Sequence, residues 1–265
     1  MRPEATPEQR KVAKLAAGTL LIHRSRTSKV IRAVVAGAVV EASTQVALHF
    51  GEPTTTGVLA AVMVASKGLA VKLAATILLA RQAARAAATN RLTRELASAG
   101  VTVSSGDLGH ASSRHHEDVG HSDVAAEALA VAWRSLAAAA ALGALRKETD
   151  PAKAIRATLG PMKARADRTA LTEVSTAYND EHRAGIEDGI AHHPRFREAV
   201  AAARVMRRWD CSLERTCSAC LSHEGELAPV GDSFSGGDEP GSMHPRCACS
   251  DTLVSVGDAD FYEAA

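Results

Sequence analysis

Of 265 residues, 46% are hydrophobic but only 3% aromatic, so the apolar content is mostly Ala, Val and Leu, a composition suited to helices packed through small side chains. That excludes a β-sandwich or barrel, whose pleated faces draw on aromatic and β-branched residues. The net charge is only +1, yet residues 1–105 carry 14 Lys/Arg against five Glu, a local +9 that leaves −8 for the remainder. The asymmetry fits an anionic partner such as nucleic acid, or simple attraction between the two halves of the chain.

The opening stretch, "MRPEATPEQRKVAKLAAG", lacks the apolar segment of a secretory signal, which predicts cytosolic synthesis and reduced thiols. A helical pattern runs from Pro7 to about His49, with Val12, Leu15 and Leu20 on its apolar side. A second helix starts after "GEPTTTG", capped by one of Thr54 to Thr56, and continues to about Gly100. That length suits an extended hairpin or stalk. Within it, residues 57–80 are apolar enough to raise the question of a membrane span. Lys67 and Lys72 lie near the middle, where each would cost about 2.5–3.5 kcal/mol. The expectation is a buried helix whose two lysines reach water along their stems, with membrane contact left open.

Residues 101–123 break the pattern with Gly, Ser and four histidines (His110, His115, His116, His121) and read as a loop; a metal role for this tract is the lesser reading. Residues 124–147 return to an Ala-rich helix with Trp133 and Leu136 on the packed face. Residues 148–191 read as two or more amphipathic helices interrupted at Gly160-Pro161. From residue 210 to 250 the chain turns to Gly, Ser, Asp, Pro and Cys. Such a segment buries too little apolar surface to fold unaided. The expected fold is therefore mainly α: long N-terminal helices, a helical middle and a small, loop-rich Cys/His module with few short strands. The segments are 1–123, 124–209 and 210–265.

All five cysteines fall in this last segment. Cys217 and Cys220 form a C-x2-C pair, His244 and Cys247 repeat the spacing, and Cys249 adds a fifth donor. Paired N/S donors of this kind suit a tetrahedral structural zinc ion. The 26 residues between Cys220 and Cys247 are more than a compact zinc ribbon has, and Pro245 stiffens the second turn. Two ligand sets stay open, three cysteines with the histidine or four cysteines, and a disulfide clip is the alternative to metal. Cys211 is expected to be a plain buried thiol. A Cys217–His244 nucleophile pair lacks an orienting third group. There is no G-x-S-x-G, phosphate-binding loop or H-E-x-x-H, and "HEGE" at 223–226 lacks a second histidine, so no enzyme is expected.

Three stretches resemble the phage head morphogenesis family, the minor capsid proteins similar to the Mu F protein. One is "RADRTALTEVSTAYNDEHRAG", with the pair Thr172 and Glu173 followed by Ala177 and Asn179. The second is "RRWDCSLERTCSACLSHEGE", with Trp209, Cys217, Cys220 and Gly225 in register. The third is the ending "MHPRCAC". The resemblance covers about residues 150–255. Ala248 stands where an Arg is usual, and Cys211 where a small or polar residue is expected. The resemblance implies a minor protein of a tailed-phage or prophage head, in the virion interior after assembly in the host cytoplasm. Its implied partners are the portal and the capsid or scaffold proteins, and the basic N-terminal half is suited to packaged DNA. Two other readings compete. A zinc-containing nucleic-acid-binding regulator sits poorly with the acidic "SHEGE" and "GGDEP", which repel phosphate. A Cys/His hydrolase or toxin requires a pocket with an activated thiolate.

Overall fold

The computed structural model describes residues 7–49, 54–103, 115–211, 218–241, 243, 247 and 249–256. Among the described residues the chain is mainly helical, with three short strands toward the C-terminal side. The helices are α1 (Pro7–His49), α2 (Thr55–Ser98), α3 (His115–Arg146), α4 (Pro151–Ala157), α5 (Leu159–His192), α6 (Pro194–Ala202) and the single-turn α7 (Ser218–Ser222). The strands are β1 (Val205–Asp210), β2 (Leu227–Pro229) and β3 (Ser250–Ser255). Two compact units emerge, neither continuous in sequence. One comprises Ser25–Ala80 and His115–Glu173, the other Met1–Arg24, Arg81–Arg114 and Val174–Ala265.

The first of these is an apolar bundle. A stripe at helical spacing on α2 (Val58, Val62, Ala65, Leu69, Leu73, Ile77) is buried with Ile31, Val35 and Val39 of α1 and with Trp133, Ala137 and Ala141 of α3. Burying each Leu or Ile there contributes about 1.5–3 kcal/mol. Thr54 caps α2 as expected: its Oγ1 accepts from the Gly57 amide at 3.2 Å. Lys67 and Lys72 face outward, as do the apolar Val64, Val71 and Leu79. By length and composition alone, the helices over Gly18–Leu48, Thr55–Ser98 and His116–Arg146 are long and apolar enough to cross a membrane.

Two boundaries differ from the sequence reading. Residues 115–123, expected in a loop, form the first turns of α3. Asp118 and Ser122 are buried on the same stripe as Leu129 and Trp133, so the helical period continues through polar residues at inward positions. Glu117 and Asp118 in the first turn complement the helix dipole. The interruption expected at Gly160-Pro161 falls earlier, at Thr158 between α4 and α5. Pro161 lies in the first turn of α5, where no intrahelical amide is required of it. Asp150 starts α4 by accepting from the amides of Ala152 (2.8 Å) and Lys153 (3.2 Å), and Thr158 Oγ1 accepts from the Trp133 indole at 3.3 Å.

The second unit carries the sheet, ordered β2-β1-β3 and antiparallel throughout. Val205 pairs with Ser255 and Asp210 with Ser250, while Met206 pairs with Pro229 on the edge strand β2, where a missing amide costs little. Leu92, Leu96, Ile186, Phe196, Val200, Val205 and Leu253 form its apolar centre.

Candidate metal centre

Trp209, near the end of β1, organises the cysteines. Its backbone carbonyl accepts from the Gly225 amide and its amide donates to Glu226 O, both at 2.9 Å, which folds the α7 turn back against the strand. Gly225 adopts φ 72°, a conformation that side chains disfavour. The indole stacks on His223 (centroids 4.6 Å apart) and meets the Phe234 ring edge-on at 5.1 Å. His223 Nδ1 lies 2.5 Å from Glu226 Oε2, so the "HEGE" segment acts as a clamp on the tryptophan. Trp209, Phe234 and Ala228 bury Cys220, Cys247 and Cys249 in one cluster.

The sulfurs of these three cysteines all lie within 4.8 Å of one another, close enough to hold a metal ion. Cys220 Sγ and Cys247 Sγ are 3.8 Å apart. Metal–sulfur bonds of about 2.3 Å in a tetrahedron place neighbouring sulfurs about 3.8 Å apart, whereas a disulfide requires about 2.05 Å. Among the described residues, Cys211, Cys220, Cys247 and Cys249 form no disulfide. The hydrogen bond with Cys249, and after it burial, push the Cys247 thiol well above its usual range.

A second layer of polar contacts fixes the loop that carries Cys247 and Cys249. Asn179 on α5 donates from Nδ2 to Cys249 O at 3.1 Å. Gly241 (φ 85°) lies against the same amide: a Cβ there would stand 2.1 Å from Asn179 Nδ2, so only glycine fits. One turn before Asn179, Ser175 Oγ accepts from Arg24 Nε (3.0 Å) and Nη2 (2.5 Å).

Beside β3 runs a network of buried ions. His182, fully buried on α5, has Nε2 2.8 Å from Glu95 Oε2 and Nδ1 3.2 Å from Asp251 Oδ1. Arg91 contacts Glu95 at 2.5 Å and donates to Thr252 Oγ1 at 2.9 Å and to Asp251 O. Arg207 reaches Asp251 at 2.7 Å and Glu239 at 2.5 Å. Burial opposes every charge here, but the opposing partners win. Arg91 and His182 hold Glu95 below the usual carboxylate range, and Asp251 and Glu95 raise His182 above the usual imidazole range. Arg85 pairs with Glu181 at 3.0 Å, again buried. Arg24, Arg81, Arg85 and Arg91 are all buried. Part of the N-terminal basic excess is therefore internal, and Arg85–Glu181 and Arg32–Asp167 join it to acidic residues of the other half.

Of the sequence-derived ligand set, Cys220, Cys247 and Cys249 converge; Cys217 and His244 lie outside the described residues, as do Pro245, Ala248 and His110. Among the described residues the cysteine trio is the one such cluster, and His116 and His121 do not take part. Cys211 is half-buried rather than fully buried. Its Sγ donates to Cys220 O at 2.9 Å, and burial beside Glu224 pushes its thiol up to about 12. Glu95, His182, Asp251 and Arg24 escaped the sequence reading. The available signal was the placement of Arg91 and Glu95, four residues apart, on the inward stripe with Leu92 and Leu96. No family model, curated protein or solved structure matches the chain.

Proposed function

We propose that this chain is a minor head protein of a tailed phage or prophage, acting in head morphogenesis at the portal and capsid interior, with a zinc ion holding its C-terminal module. One observation carries the reading. The three stretches that resemble the Mu F-like family are separated by tens of residues, and they meet at one place. Asn179 of the first bonds Cys249 of the third, and Trp209 and Cys220 of the second pack with Cys247 and Cys249. Motif residues brought together in this way behave as one structural unit rather than as three coincidental matches.

Zinc is the ion that three sulfur donors favour, and Cys217 or His244 would complete a tetrahedral set. The ion would add to the Trp209 cluster and the Asn179–Cys249 bond: structural zinc contributes roughly 10–16 kcal/mol in small domains. The module's role is then to give a rigid, acidic-rimmed surface to a protein partner, with no chemical turnover at the cysteines.

The test is compositional. Particles purified from the source phage or induced prophage, stripped of loosely bound protein and digested for mass spectrometry, should contain the chain in fewer copies than the major capsid protein. Its gene should lie beside those of a portal and a terminase. Absence from DNA-filled heads, together with a gene neighbourhood free of head genes, would contradict the proposal.

A further inference from the structure

We infer that Arg24 is the counter-ion of the metal–thiolate centre, so that metal binding by the C-terminal cysteines locks the adjoining part of α1 against α5. The inference rests on the zinc reading above. Arg24 is only 8% exposed. Among the described residues its guanidinium bonds a neutral hydroxyl, Ser175 Oγ, and no carboxylate. Ser175 and Asn179 are four residues apart and so share one face of α5. The first holds Arg24 and the second holds the backbone of Cys249, which sets the guanidinium beside the loop of ligands. Burial lowers the Arg24 guanidinium to about 10, and the ionised forms of nearby Cys247 and Cys249 are what would pull it back up.

A buried guanidinium without an anion is expensive, and neutral thiols do not offset that cost. Three thiolates around a divalent ion do, since the centre stays net anionic whether the fourth ligand is an imidazole or a thiolate. Arg24 thus fits the metal-loaded protein better than the metal-free one. Its cation lies on α1, far before the ligands in sequence, so loading the metal ties the N-terminal helix to the C-terminal module. Arg24 is a positioning residue in this scheme, with Ser175 as its orienting partner.

Zinc affinity of the full-length protein, measured under reducing conditions by competition with a chromophoric chelator, tests this in wild type, Arg24→Gln, Arg24→Lys and Ser175→Ala. Arg24→Gln should keep one site but weaken it about 10–100-fold, the usual cost of losing an outer partner of a metal ligand. Arg24→Lys, which retains charge but loses the planar fork, should stay much nearer to wild type than Arg24→Gln does. A purely structural arginine would make both equally harmful, and that result overturns the inference. Should Arg24→Gln lose helix content by circular dichroism, Arg24→Leu carries the comparison, because it removes the charge without burying an unpaired polar group. In wild type, removing zinc should also speed hydrogen exchange at residues 18–24. Zinc affinity unchanged in Arg24→Gln sinks this inference and leaves the zinc site standing, whereas a wild type that binds no zinc sinks both.

Discussion

Helix α2 has the same period along its whole length, yet its two halves face different interiors. Between Val58 and Ile77 the inward stripe is Val, Ala, Leu and Ile, packed in an apolar bundle. Between Arg81 and Leu96 the inward positions include Arg81, Arg85, Arg91 and Glu95, and the partners are His182, Glu181 and the backbone and hydroxyl of β3. Non-directional packing accepts any side chains of suitable volume. The ionic interior accepts only those that complete one another's charges, because an orphaned ion is worse there than an apolar residue. The sheet and the cysteine module belong to that second kind of interior. Their fold is therefore specified by a few pairings, and it is more vulnerable to single changes.

Cys220→Ser should abolish tight zinc binding and deprotect the backbone over Val205–Asp210 and Ser250–Ser255, while amides between Val58 and Ile77 keep slow exchange; hydrogen-exchange mass spectrometry reads both at once. Glu95→Gln removes the carboxylate shared by Arg91, His182 and the Leu253 amide. It should cost about 3–5 kcal/mol in chemical denaturation, as expected for a buried pair broken on one side. In the apolar half, Leu73→Met, a change that conserves volume, should cost less than about 1.5 kcal/mol. Equal costs for these two substitutions would erase the distinction between the halves.

The smallest effect is a pH slope. Glu95 is held below its usual range, so its contribution is present above the unfolded carboxylate value and is lost as acid protonates it. His182 is raised, so its contribution is complete below the unfolded value of about 6.5 and fades as pH climbs through the folded value. Its ring faces Glu95 and Asp251, with Arg91 and Arg207 behind them. Denaturation midpoints should therefore fall as pH rises above about 6.5, by no more than about 1.4 kcal/mol per pH unit for one group. His182→Gln should be less stable but lack that alkaline decline. A midpoint that rises over the same range in wild type would contradict the charged state assigned to His182.

The sequence made the long helices legible because Ala, Val and Leu recur at helical spacing and because "GEPTTTG" supplies a cap at Thr54. It hid the start of α3, where Asp118 and Ser122 take inward positions that composition reads as loop. Cys220, Cys247 and Cys249 were among the five donors legible in the sequence, but spacing left open which of the five would converge. The residues that support the cluster were not legible. Arg24 meets Ser175 across 151 positions and Arg91 meets Asp251 across 160, and no local pattern records such pairings. The two compact units are equally hidden, since each gathers pieces of chain that composition assigns to different segments.

X-ray absorption at the zinc edge reads the ligand shell of the cysteine centre itself. Full-length protein purified under reducing conditions should contain one equivalent of zinc, with a first shell of three or four sulfurs at about 2.3 Å. Only trace zinc with the Cys220 environment still protected, or a shell built from oxygen and nitrogen alone, would contradict the zinc centre.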